Sequence, residues 1–230
     1  MNVLDLFSGI GGFSLGLERA GMKTVAFCEV DKKCQAVLKK HWPGVPIFDD
    51  VSNLKGEDIE ETVDVICGGF PCQDISLAGK GAGLEGSRSG LWSEFKRLIE
   101  EIKPKYAIIE NVSALRSRGL DQVLREISEI GYDAEWHCIT AASIGAPHRR
   151  DRIWIISYPN SEGLQGQWEI TGRISEELQD ISYLRWWQVE PDVGRVAHGI
   201  PNRVDRLKQL GNAVVPQIPE LIGRAICQVG

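Results

Sequence analysis

The stretch Asn2-Val3-Leu4-Asp5-Leu6-Phe7-Ser8-Gly9-Ile10-Gly11-Gly12 passes from a nearly unbroken apolar run straight into a cluster of glycines. A run that short and that apolar reads as a strand buried on both faces. Ser8 to Gly12 then predicts a tight turn into a helix from about Phe13 to Ala20, closed by Gly21. Strand, glycine turn and helix together set backbone N–H groups and a helix N-terminus beside a ligand. The same glycines would also serve a close strand–helix crossing, and their spacing is not the GxGxxG of dinucleotide-binding folds.

Working outward, Thr24 to Cys28 predicts a second strand that ends on Glu29. In a doubly wound sheet, an acidic residue there meets the ribose hydroxyls of a nucleoside ligand. A helix comes next, from Asp31 to His41, with Cys34, Val37 and Leu38 on one face, and Pro43 and Pro46 break it. Ile47-Phe48 is a short strand leading to Asp49-Asp50-Val51. One of those aspartates either accepts from an adenine amino group or caps a helical turn just after it.

Val63-Asp64-Val65-Ile66-Cys67 is the next strand, and the chain leaves it through Gly68-Gly69-Phe70-Pro71-Cys72-Gln73. Two glycines and a proline aim the chain, and the first reactive atom presented is the Cys72 sulfur. The polar, glycine-rich loop from Gln73 to Gly90, carrying Lys80 and Arg88, reads as a lid beside it. Leu91 to Ile102 is an amphipathic helix. Tyr106 to Ile109 is a strand ending on Glu110-Asn111-Val112, which puts a charged residue in the ligand crevice. A helix marked by Leu120, Val123, Leu124, Ile127 and Ile130 precedes two strands, Asp133 to Ile139 and Arg152 to Tyr158. Between them lies the basic cluster His148-Arg149-Arg150-Asp151-Arg152.

This alternation predicts an α/β fold, a doubly wound and mostly parallel sheet, over residues 1–158. Residues 159–202 are polar and irregular and read as a small lobe carrying Trp168, Trp186 and Trp187. Residues 203–230 return to the main domain through a last helix from Gln217 to Cys227.

At 230 residues the chain can bury one main core. Its composition is that of an ordinary soluble protein, no apolar run approaches a membrane span, and its first residues do not read as a signal peptide. A formal charge of −6 weighs weakly against nucleic-acid binding, but local basic clusters decide that question. Cys28, Cys34, Cys67, Cys72, Cys138 and Cys227 show no CxxC pair and no metal-ligand spacing with histidine, so no metal is expected. All but Cys72 are expected to be reduced core residues of a cytoplasmic protein.

Taken in order, Asp5 to Phe13, Gly69-Phe70-Pro71-Cys72-Gln73, Glu110-Asn111-Val112, Arg150-Asp151-Arg152 and Gly211-Asn212-Ala213-Val214 resemble the motifs of the DNA (cytosine-5) methyltransferase family. The resemblance covers about residues 1–158 and 203–227. It implies a Rossmann-like, S-adenosylmethionine-dependent methyltransferase that methylates carbon 5 of cytosine in double-stranded DNA after flipping the base out. A thiolate adding to carbon 6 makes carbon 5 nucleophilic, and cysteine suits that step because its thiolate is accessible near neutral pH. The resemblance assigns the nucleophile to Cys72, the N3 and amino contact to Glu110 and the O2 contact to Arg152, with Arg150 beside it. A glutamate that donates a proton needs a raised pKa, which desolvation supplies. For the cofactor, Phe7 would stack on adenine, and Gly9 and Gly11 would admit the methionine part. Glu29 would bind the ribose, Asp50 the adenine amino group, and Asn212 and Val214 would close the pocket. The missing GxGxxG tells against a nicotinamide cofactor.

The expected DNA contacts are Lys80 and Arg88 from the closing loop, solvated charge being their alternative, with Arg185 and Arg195 from the lobe. Trp186-Trp187 are expected to anchor the lobe in preference to meeting DNA. His148 stands where the family usually has Gln, a supporting position. A recognition region of only about 45 residues predicts few base contacts and a short or relaxed recognition sequence. Two other readings keep the fold: a transfer RNA cytosine-5 methyltransferase, and a non-catalytic nucleic-acid-binding relative. A monomer, bacterial or phage-encoded and without membrane contact, is expected.

Overall fold

Residues 1–71, 90–160, 170, 172–176, 178 and 210–229 are described by a computed structural model of the chain. Seven strands are present among them: β1 (Asn2–Leu6), β2 (Lys23–Cys28), β3 (Ile47–Phe48), β4 (Val65–Gly69), β5 (Tyr106–Val112), β6 (Tyr132–Thr140) and β7 (Asp151–Pro159). They form one sheet in the order β3-β2-β1-β4-β5-β7-β6. The strands β1 to β5 pair in parallel, and β7 runs antiparallel to both β5 and β6. The helices are α1 (Gly12–Arg19), α2 (Lys32–His41), α3 (Gly90–Ile102), α4 (Leu115–Arg118), α5 (Leu120–Glu129) and α6 (Gln217–Val229). The chain is thus the doubly wound, Rossmann-like α/β fold that the strand–helix rhythm predicts.

Strand alternation sends side chains to two apolar layers. Leu4, Leu6, Ile66, Ile109 and Ile153 meet Phe95 and Leu98 of α3 and Val123 and Ile127 of α5. On the other face, Val3, Val65, Ile108 and Ile156 meet Leu17 of α1 and Leu221, Ile222 and Ile226 of α6. The last helix therefore packs back on the sheet, as expected. So do Ile170 and Ile174, which are buried in this second layer. The segment read as an irregular lobe is helical at 172–176, because Ile170, Ile174 and Leu178 recur every fourth residue as a helical stripe within polar sequence.

Two further expectations change. Strand β5 continues to Val112, because β7 pairs with it residue by residue as far as Val112↔Arg152. Glu110 therefore sits within the paired part of the strand and not beyond its end. Cys138 and Cys227 are exposed, not core; Cys138 lies on the edge strand β6, and Cys227 adjoins the exposed Gln228 on α6.

Strand order reverses between β1 and β4, with β2 and β3 to one side and β5 to the other. At such a switch point the connections leave in opposite directions, opening a crevice at the carboxyl ends of the strands. Asp5 fixes the helix that borders this crevice. Its buried Oδ2 accepts from the Ser14 hydroxyl at 2.7 Å and the Ser14 amide at 3.2 Å. Burial pushes the Asp5 carboxyl up to about 8, outweighing those two bonds, and β1 holds α1 through this buried group.

Candidate active site

On the β1–β2 side of the crevice, the chain turns through Phe7, Gly9 and Gly11, all with positive φ (53°, 55° and 85°). Glycine takes that conformation without strain; Phe7 is held in it beside Phe95, ring centroids 6.4 Å apart and nearly parallel. Above Gly9 the space is open: a Cβ there would meet nothing within 4 Å. The turn is fastened by Glu29 at the end of β2. Its Oε2 accepts from the Gly9 amide and its Oε1 from the Asp31 amide, each at 2.7 Å. Gln35 of α2 reaches back to the Glu29 carbonyl and donates to Asp49 Oδ1 at 2.7 Å, so it ties the ends of β2 and β3 together. Asp49 also pairs with Lys32 at 2.7 Å, and the two bonds hold its carboxyl below the usual range. Asp50 is exposed and caps a turn, accepting from the Ser52 amide at 2.9 Å. Val30, 74% exposed, leaves an apolar side chain next to Glu29.

On the β4–β5–β7 side, three strand ends meet. Gly69 is the register partner of Glu110, and Glu110 that of Trp154, two residues from Arg152. A Cβ on Gly69 would stand 2.7 Å from Glu110 Oε2, so the second glycine is what lets this carboxylate lie against β4. Arg152 Nε donates to Glu110 Oε1 at 2.8 Å. The Glu110 side chain is 12% exposed, and burial raises its pKa; the charges of Arg152 and Arg150 oppose that shift without cancelling it. Asn111, 1% exposed, donates its Nδ2 to the Phe70 carbonyl at 3.3 Å, fastening the chain just ahead of Pro71.

Arg150 takes a different direction from Arg152. Its guanidinium donates to the carbonyls of Gly211 and Asn212, the second at 3.2 Å. His148 and Arg149, from the same basic cluster, are exposed. Cys28 and Cys67 are buried thiols; burial pushes the first up to about 12 and the second well above its ordinary value, which leaves both inert.

The structure thus brings Glu110 and Arg152 together, and Gly9 with Glu29. It separates Arg150 from that pair's hydrogen bonds. Cys72, Lys80, Arg88, Arg185, Arg195, Trp168 and Trp186-Trp187 lie outside the described residues. Sequence reasoning missed Gln35, whose signal was a polar residue between Cys34 and Leu38 in a buried stripe, and Val30, whose signal was its place after Glu29. Among the described residues no cluster of three or more candidate metal ligands occurs, and no helix is long and apolar enough to cross a membrane.

The family model for C-5 cytosine-specific DNA methylases matches residues 1–194. The Type II methyltransferase M2.BsuMI of Bacillus subtilis is 39% identical over 165 residues, which is 68% of this chain and 42% of that protein. M.HhaI of Haemophilus parahaemolyticus is 34% identical over 169 residues, 72% of this chain and 51% of its own. A crystal structure described as a DNA modification methyltransferase encoded within an E. coli prophage is similar at TM-score 0.60 and 32% identity, covering 70% of this chain and 47% of that one. Spodoptera frugiperda DNMT2, at TM-score 0.58 and 21% identity, is similar in fold. The chain spans about half, or less, of the length of these relatives.

Proposed function

Because this chain belongs to the C-5 cytosine-specific DNA methylase family, we propose that it transfers a methyl group from S-adenosylmethionine to carbon 5 of a cytosine flipped out of double-stranded DNA. The observation that carries this reading is the Glu110–Arg152 pair, 2.8 Å apart and set beside Gly69, three residues ahead of Cys72 in the chain.

In this reading the Cys72 thiolate adds to carbon 6 of the base, and the electron pair of the 5,6 double bond becomes available at carbon 5. Negative charge then develops on N3 and O2. Glu110, whose pKa burial raises, is the proton donor at N3, and the Arg152 guanidinium stabilises O2. S-adenosylmethionine supplies the electrophilic methyl group. Glu110 takes back the N3 proton, a base removes the carbon-5 proton, the 5,6 double bond re-forms, and Cys72 leaves as thiolate.

The β1–β2 side suits that cofactor. Open space above Gly9 leaves room for a ligand against the backbone, and Phe7 with the exposed Val30 offers apolar surface for a purine. Glu29 uses one bond on each carboxylate oxygen, so each keeps a lone pair for a ribose hydroxyl. Asp50, exposed at the rim, retains acceptor capacity for the adenine amino group, and Asn212 and Val214 close the far side. Lys80, Arg88, Arg185 and Arg195 are assigned to the DNA backbone on charge alone.

The test is methyl transfer from tritiated S-adenosylmethionine to duplex DNA, with transfer RNA as the competing acceptor. Label in DNA that maps to 5-methylcytosine is the expected result. Label confined to transfer RNA would move the substrate, and label in neither from folded, cofactor-binding protein would overturn the reading.

A further inference from the structure

We propose that Arg150 is a positioning residue that straps the segment carrying Asn212 and Val214 over the cofactor pocket, and so couples that pocket to the Glu110–Arg152 pair. The inference rests on the S-adenosylmethionine reading of the β1–β2 side. Three observations carry it, two at Arg150 and one on α1.

The first is the hydrogen bonding. Arg150 has a forked, multiply donating head, and it spends it on two successive backbone carbonyls, those of Gly211 and Asn212, across 61 and 62 residues of sequence. The second is conformation. Arg150 sits at φ 24°, in the left-handed region that a side chain with a Cβ adopts only when something holds it there. The third is the opposite wall. A Cβ on Gly12 would stand 2.6 Å from the Val214 carbonyl oxygen, and one on Gly16 would collide with the Pro216 carbonyl oxygen. Two glycines four residues apart on α1 are therefore needed for the 214–216 backbone to lie flat on that helix. The segment is pressed onto α1 from one side and tied to the start of β7 from the other.

Arg152, two residues along β7, carries the pair with Glu110. The two arginines of Arg150-Asp151-Arg152 thus divide the work: one faces the base, the other holds the cofactor's cover. A displacement of the 211–214 segment would be felt at the strand that positions Arg152.

The test compares wild type with Arg150→Lys, which keeps the charge but not the fork. Calorimetric binding of S-adenosylhomocysteine is expected to weaken about tenfold, the loss of one of two charge-assisted bonds. Hydrogen exchange is expected to speed up at the amides of residues 211–215. In turnover, KM for the methyl donor should rise by more than kcat falls. Unchanged binding and unchanged exchange would overturn the strap; so would a fall in kcat alone, which would place Arg150 at the base. Wild-type protein that binds no S-adenosylhomocysteine would overturn the cofactor reading, and the strap's purpose with it. That signature differs from wild type and variant binding equally. Should the Lys variant not fold, Gly16→Ala displaces the same segment from the helix side, and it must weaken binding too.

Discussion

Two carboxylates, Glu29 just past the end of β2 and Glu110 within the paired part of β5, stand on either side of the switch point and are held by opposite means. Glu29 is fastened by backbone amides on both oxygens, in a turn whose conformation it maintains. Glu110 is fastened by one guanidinium, and burial has the larger effect on it, raising its pKa. Two amide donors fix an acceptor in place, whereas burial of Glu110 favours a carboxyl that keeps its proton. In the proposed reading one side of the crevice binds the cofactor and the other gives up a proton, although each rests on a single glutamate set by an apolar strand.

The sharpest way to break that comparison is at Glu110. Glu110→Gln keeps the shape and removes the titrating proton, so kcat should fall by at least about 100-fold, the scale of lost general-acid catalysis. Binding of S-adenosylhomocysteine should stay within about twofold, since no transition-state interaction is involved. The sign of the pH dependence comes from the raised pKa. The protonated form survives above the ordinary carboxylate range, and activity is lost as pH rises through the folded-state pKa. Stability contributed by the same proton is fully present below the unfolded-state pKa and disappears over that window. A pH–rate profile of the variant that keeps the alkaline limb would put the proton elsewhere.

A smaller effect is expected at Glu29. Glu29→Gln turns one accepting oxygen into a donor facing a backbone N–H, at a cost of about 2 kcal/mol. Affinity for S-adenosylhomocysteine should fall roughly 30-fold and the melting temperature should drop, while kcat at saturating cofactor changes less than it does in Glu110→Gln. Calorimetry and a thermal melt read both. Equal affinity in variant and wild type would remove Glu29 from the binding side.

How far the chain could be read before folding obeys the same division. Strands β1, β4 and β5 were legible because parallel strands buried on both faces are almost continuously apolar. The glycine turn and its partner Glu29 were legible because both sit at strand ends, where sequence position and spatial position nearly coincide. The true end of β5 was not, because it depends on the antiparallel partner β7 in the pairing Val112↔Arg152, far along the chain. Nor was the reason for Gly69, which is a carboxylate oxygen from another strand. Gly12 and Gly16 look like ordinary helix residues until the 214–216 backbone is laid against them. Arg150 and Arg152 share one short motif, yet only the structure sends their side chains to different partners.

The central claim is that the crevice beside Glu110 and Arg152 activates a cytosine for attack by Cys72. Duplex DNA carrying 5-fluorocytosine tests it most directly, because fluorine at carbon 5 cannot leave as a proton does and the protein stays attached. Incubation with S-adenosylmethionine, then denaturing electrophoresis and peptide mass spectrometry, should give a covalent protein–DNA adduct at Cys72 that Cys72→Ala does not form. Folded, cofactor-binding protein that yields no adduct, or an adduct at any other residue, would contradict the account.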